Sequence, residues 1–179
     1  MFDKICEWMN QGRWPEVNHI QDVQCFIDAM CSTYNVSPID VVFYPKWCME
    51  QQDENVIGMA VYPNEHTGIN QPREVWFCTE HFGFPAKTYA AKHDVGEGSK
   101  TAKISVIIHE FAHHMAHAAY GPSIWPHGFA FWKTNASIQI DHGFFCIPFF
   151  NIHVPVPPCI GSFVRNISGR GGDKHETRK

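Results

Sequence analysis

Apolar positions between residues 16 and 34 recur at helical spacing, at Val17, Ile20, Val23, Ile27, Met30 and Tyr34. Pro15 suits a first helical turn, so the pattern predicts an amphipathic helix over 16–34, closed by the Asn35–Pro38 segment. Ile39–Tyr44 is rich in β-branched and aromatic residues and stops at Pro45, which predicts a strand. Val56–Tyr62 and Glu74–Thr79 predict two more, each bounded by Gly, Pro or Asn clusters. Residues 80–99 keep no period, because Gly83, Pro85, Gly96 and Gly98 interrupt it.

The clearest helix follows. Ser99 is an N-cap residue type, and Thr101–Tyr120 contains neither Gly nor Pro. Gly121 and Pro122 end it, since glycine accepts a left-handed cap and proline cannot continue a helix. Ile104, Val106, Ile107, Ile108, Phe111 and Met115 lie nearly all round it, the pattern of a helix buried in the middle of a domain. A further helix is predicted from about Pro126 to about Ile140. Phe144–Ile160 is apolar but carries four prolines, which exclude a membrane helix and predict extended segments packed on the core. Residues 168–179 have the composition of a flexible tail. The expected organisation is one domain over 1–167, with a core at 16–140 and a Pro/Phe-rich extension at 141–167.

Composition narrows the classes. With 44% hydrophobic and 18% charged residues in 179, the chain is globular in character. A formal charge of −4 removes any whole-chain electrostatic case for nucleic acid or an acidic membrane surface. No apolar run reaches the ~20 residues of a membrane span, and the first residues lack the layout of a secretory signal. Seven cysteines, with no Cys-x-x-Cys pair, argue against a disulfide framework and for small buried apolar groups. A cytoplasmic protein is expected. Twelve histidines raise the question of a metal.

His109-Glu110-Phe111-Ala112-His113 is an H-E-x-x-H motif within the central helix. Four residues advance about 400° and about 6 Å, so both imidazoles project from one face and can share one ion. Glu110 falls beside the ligands, where a carboxylate can take a proton from an activated water without binding the metal. In a histidine-rich chain the five letters alone are not decisive; their apolar setting on Ile107, Ile108, Phe111 and Ala112 gives them weight. A hydrolytic zinc site takes a third protein ligand and leaves one position open. The extended H-E-x-x-H-x-x-G-x-x-H pattern fails at Ala116 and Ala119, and the sole later glutamate, Glu176, lies in the tail. His117, His127, Asp141, His142 and His153 remain as candidates. Of these, His127 is better placed than His117, because Gly121-Pro122 turns the chain back ahead of Trp125-Pro126-His127-Gly128.

These two motifs, His109-Glu110-x-x-His113 and Pro126-His127-Gly128-x-x-Phe131-Trp132, resemble those of the SprT-like zinc metallopeptidases, which include the Spartan proteases. The resemblance covers roughly residues 16–140. It implies an α+β, zincin-like single domain, with a small sheet of about three strands packed on a central H-E-x-x-H helix and flanking helices. It also implies Zn2+ held by His109, His113 and His127, and Glu110 as the catalytic base in hydrolysis of peptide bonds. Protein or peptide is then the expected partner, with Phe131 and Trp132 as packing behind the third ligand.

The chain also departs from that family, since the Cys-rich zinc ribbon that many members carry is missing. His142, Cys146, His153 and Cys159 are candidates for a degenerate second site, and Asp141-His142-Gly143 mimics the third-ligand motif. His114 is expected to hydrogen-bond behind the ligands, and Tyr120, His114 and His142 are candidate oxyanion donors. Two rivals stand beside the peptidase. One is a protease acting on DNA-bound proteins, which the negative charge does not support although the tail carries Arg170, Lys174, Arg178 and Lys179. The other is a zinc-binding assembly module without turnover, for which Glu110 has no use.

Overall fold

The computed structural model describes residues 1–52, 56–63, 73–84, 96–147, 150 and 152–157. Among these, helices α1 (Phe2–Met9), α2 (Ile20–Tyr34), α3 (Lys46–Met49), α4 (Thr79–Phe82), α5 (Lys100–Tyr120) and α6 (Phe129–Asp141) accompany five strands. The strands are β1 (Asp40–Tyr44), β2 (Gly58–Val61), β3 (Glu74–Cys78), β4 (Phe144–Ile147) and β5 (Ile152–Pro155). The architecture is α+β, as expected. The tail 168–179 and Cys159 lie outside the described residues.

The three predicted strands form one sheet in the order β1-β3-β2. β1 runs parallel to β3, whereas β2 runs antiparallel and stands at an edge. Val75 and Phe77 of β3 are fully buried, as a strand flanked on both sides requires. The Pro/Phe-rich extension forms an antiparallel pair, with Cys146 opposite His153. That pair packs on α1 and α6.

α5 is the centre of the molecule. Ser99 Oγ accepts the Ala102 N–H at 3.2 Å, and the chain leaves the helix through Gly121 at φ +86°. Ile104, Ile107, Ile108 and Phe111 are each 0% exposed and meet Phe26, Ile27 and Met30 of α2, with Phe131 and Ile138 of α6 in the same core. Burial of each such side chain contributes about 1.5–3 kcal/mol of transfer free energy, so this helix anchors the domain.

Three expectations need correction. The second helix starts at Ile20 rather than at 16, because His19 is extended and Asp22 Oδ2 accepts its N–H at 2.9 Å. Pro15 therefore lies ahead of the helix instead of in its first turn. Likewise α6 starts at Phe129; residues 125–128 form the turn before it, with the Gly128 N–H donating to the Trp125 carbonyl at 2.9 Å. Thr79 ends no strand but opens α4, a single turn closed by Gly83 at φ +72°. α1 was not foreseen: it buries Cys6 and leaves Phe2, Ile5 and Trp8 exposed.

Candidate metal centre

His109 and His113 project from one face of α5, and the turn at Gly121 brings His127 back over them. One ligand nitrogen from each of the three lies within 4.8 Å of the others. His109 Nε2 and His127 Nε2 are 3.3 Å apart. Two nitrogens bound tetrahedrally at about 2.0–2.1 Å from one zinc stand about 3.3–3.4 Å apart, so this spacing fits a shared ion. The donor set fits as well. Burial and the neighbouring imidazoles hold His109 down to about 4 and His113 down to about 3, so both rings are neutral, and able to ligate, at pH 7. The three histidines are close enough to bind one metal ion.

Aromatic packing fixes the rings. Phe131 stacks on His113 with centroids 4.1 Å apart and planes at 21°, and it meets His109 and His127 by their edges at 4.9 and 5.1 Å. Trp132 stands 6.1 Å from His109 and 6.0 Å from His127. Phe131 therefore supports all three imidazoles and Trp132 two of them, a wider role than packing behind His127 alone.

Glu110 is buried against β2. Burial pushes its carboxyl up to about 8, while a hydrogen bond from the Ala60 backbone N–H pulls the other way. Its seat exists because residue 58 is glycine: a Cβ there would stand 2.9 Å from both Cγ and Oε1 of Glu110. Gly58 was not singled out in the sequence, where its one signal is a glycine inside the predicted strand Val56–Tyr62.

A cavity of about 380 Å³ joins these groups, bounded by β2, the C-terminal half of α5 and the turn that follows it. His109, Glu110, His113 and His127 all line it. Tyr62 also lines it, stacked on His117 at 4.4 Å and 19°, with burial and the Glu110 charge raising its phenol to about 12. Tyr62 was likewise not singled out: it closes the predicted strand Val56–Tyr62, where a tyrosine is an ordinary strand residue.

The other candidates are engaged elsewhere. His117 lines the cavity without joining the ligand group. His114, as expected, hydrogen-bonds behind the ligands: its Nε2–H donates to the Glu74 carbonyl at 2.9 Å, and burial lowers it to about 4. Asp141 accepts the Tyr34 hydroxyl, His142 packs edge-on against Phe26, and buried His153 pairs through Nδ1 with Asp3 at 2.7 Å. Among the described residues no second cluster of metal-binding side chains occurs, and neither His142 nor Tyr120 lines the cavity.

No family model, curated protein or solved structure matches the chain. Among the described residues no helix is long and apolar enough to cross a membrane.

Proposed function

We propose that this chain is a zinc-dependent metallopeptidase of the SprT-like kind, hydrolysing peptide bonds in protein substrates. One observation carries the reading: three imidazoles converge within 4.8 Å, and a buried carboxyl group faces the same open cavity. His109, His113 and His127 would hold the ion, leaving a coordination position toward the cavity. When bound, zinc supplies Lewis acidity, which polarises a carbonyl and makes water a nucleophile near neutral pH.

The rest of the chemistry belongs to the protein. Glu110 accepts the proton of the attacking water and returns it to the leaving nitrogen. A bound dication would favour the ionised carboxylate that this role needs, against the burial that holds the metal-free carboxyl near 8. Gly58 and the Ala60 N–H fix where that carboxylate sits. Phe131 and Trp132 hold the imidazoles in register and keep their inner faces dry.

A purely structural zinc site is closed by four protein ligands and needs no base. Three ligands at an open cavity, with a glutamate alongside, favour hydrolysis. The test uses two variants. Glu110→Gln should keep about one zinc per chain and lose cleavage of an unfolded protein, and His127→Ala should weaken zinc binding. Undiminished cleavage by Glu110→Gln would refute the mechanism, and parental zinc affinity in His127→Ala would refute the third ligand.

A further inference from the structure

The cavity extends past the three histidines, and most of its lining there is apolar. Ala116, one helical turn beyond His113 on α5, lines it and is 1% exposed. Pro122, Ile124 and Pro126 come from the turn after α5, and the stacked rings of Tyr62 and His117 complete the lining. Among the described residues no lysine, arginine or aspartate lines the cavity, and Glu110 is its sole acid. Arg73 is felt electrostatically at Tyr62 but is not part of the lining. The apolar character continues outside, where Trp125 and Phe129 are 81% and 86% exposed on either side of His127 in the chain. A volume of about 380 Å³ lies within the usual range for ligand pockets, about 300–1,000 Å³.

Given the hydrolase reading, on which this inference rests, we propose that the cavity selects an uncharged, apolar substrate side chain beside the scissile bond. Ala116 sets its depth and Ile124 its outer wall. An apolar group entering the cavity leaves water on both surfaces. A lysine entering it loses hydration and, among the described lining residues, meets no countercharge beyond Glu110, which the reaction itself engages. The substrates are therefore extended segments carrying large apolar residues, the kind that unfolding exposes.

The test separates binding from turnover. Zinc-loaded Glu110→Gln protein is titrated calorimetrically with blocked peptides identical except for one central residue: Phe, Leu, Ala or Lys. The Phe and Leu peptides should bind at least about tenfold more tightly than the Lys peptide. Adding Ile124→Asp should cut the Phe-over-Lys ratio at least about fivefold, because the wall then repels apolar groups and attracts a cation. Ile124 is only partly buried; should Ile124→Asp lose its folded circular dichroism, Ile124→Ser must move the ratio in the same direction. Affinities equal within about twofold, or a ratio that neither variant changes, overturn the proposal. Cleavage of the same peptides by the parent protein is read separately. Selective binding without cleavage sinks the hydrolase reading and leaves the pocket's selectivity; cleavage without selectivity does the reverse.

Discussion

Replacing Gly58 with alanine adds one methyl group where β2 passes over Glu110. The new Cβ would stand 2.9 Å from Glu110 Cγ and Oε1 and 3.0 Å from Val106 Cγ1. Carbon atoms settle at about 3.5–4.0 Å, so something must move by roughly 0.6 Å or more. The strand cannot easily retreat, because Gly58 is in register with Phe77 in the β2–β3 ladder and Phe77 is wholly buried. Glu110 is 6% exposed and is struck at its middle carbon, so it cannot swing clear into solvent. Overpacking of this kind costs about 1–3 kcal/mol, which for a chain of this size lowers the melting temperature by roughly 2–12 °C. A base displaced by such a distance loses up to about 10²-fold in turnover. The three histidines are untouched, so zinc content should stay at the parental level. Melting followed by circular dichroism, metal analysis and peptide cleavage read the three effects separately. In a Glu110→Ala background the part of the stability cost due to Glu110 should vanish, leaving the 3.0 Å approach to Val106 Cγ1. A Gly58→Ala protein with parental melting temperature and parental turnover would refute the packing argument.

Three other outcomes are expected. The metal-free chain should be most stable near pH 6.5. The folded values of His109, His113 and His114 lie below the unfolded ~6.5, so the unfolded chain binds more protons as pH falls from there toward 3–4, and stability is lost. Glu110 has the opposite sign: its folded value of about 8 exceeds the unfolded one, so its contribution fades as pH rises from about 4.5 through 8. Urea titrations across pH 4–9 check both limbs, and Glu110→Gln should remove only the alkaline decline. Zinc at 100 times its dissociation constant should add about 2.7 kcal/mol, read as a rise in melting temperature of about 5–11 °C that a chelator reverses and His109→Ala abolishes. Asn10→Ala should cost about 1–3 kcal/mol in chemical denaturation, because buried Asn10 donates to the Cys6 carbonyl at 3.0 Å and to the Gly143 carbonyl at 3.4 Å.

The central helix was legible because its signals are local. A serine cap, twenty residues without Gly or Pro and a Gly-Pro stop are all written in adjacent letters. The strands were legible for the same reason, as β-branched runs between breakers. His127 could be foreseen because the turn that returns it lies between the two ligand motifs. α1 was missed although Phe2, Ile5, Cys6 and Met9 recur at helical spacing; no side chain caps its start, and Phe2 and Ile5 on that apolar face are exposed while Cys6 is buried. The one-turn helices α3 and α4 are too short to show a period. The start of α2 was misplaced because its capping box uses histidine and aspartate in place of the usual Ser or Thr with Glu. Gly58 and Tyr62 matter only through contacts made after folding, and spacing along the chain carries no record of those.

The ligand histidines and the glutamate depend on contacts of very different reach. His109 and His127 are eighteen positions apart, so the nest of imidazoles can assemble as soon as α5 and α6 dock. Glu110 gains its seat only when β2, from a much earlier stretch of chain, lies down against α5. The proposed metal site is therefore the more local of the two arrangements, while the seat of the proposed base joins stretches of chain far apart, and both must be in place before the two can act together.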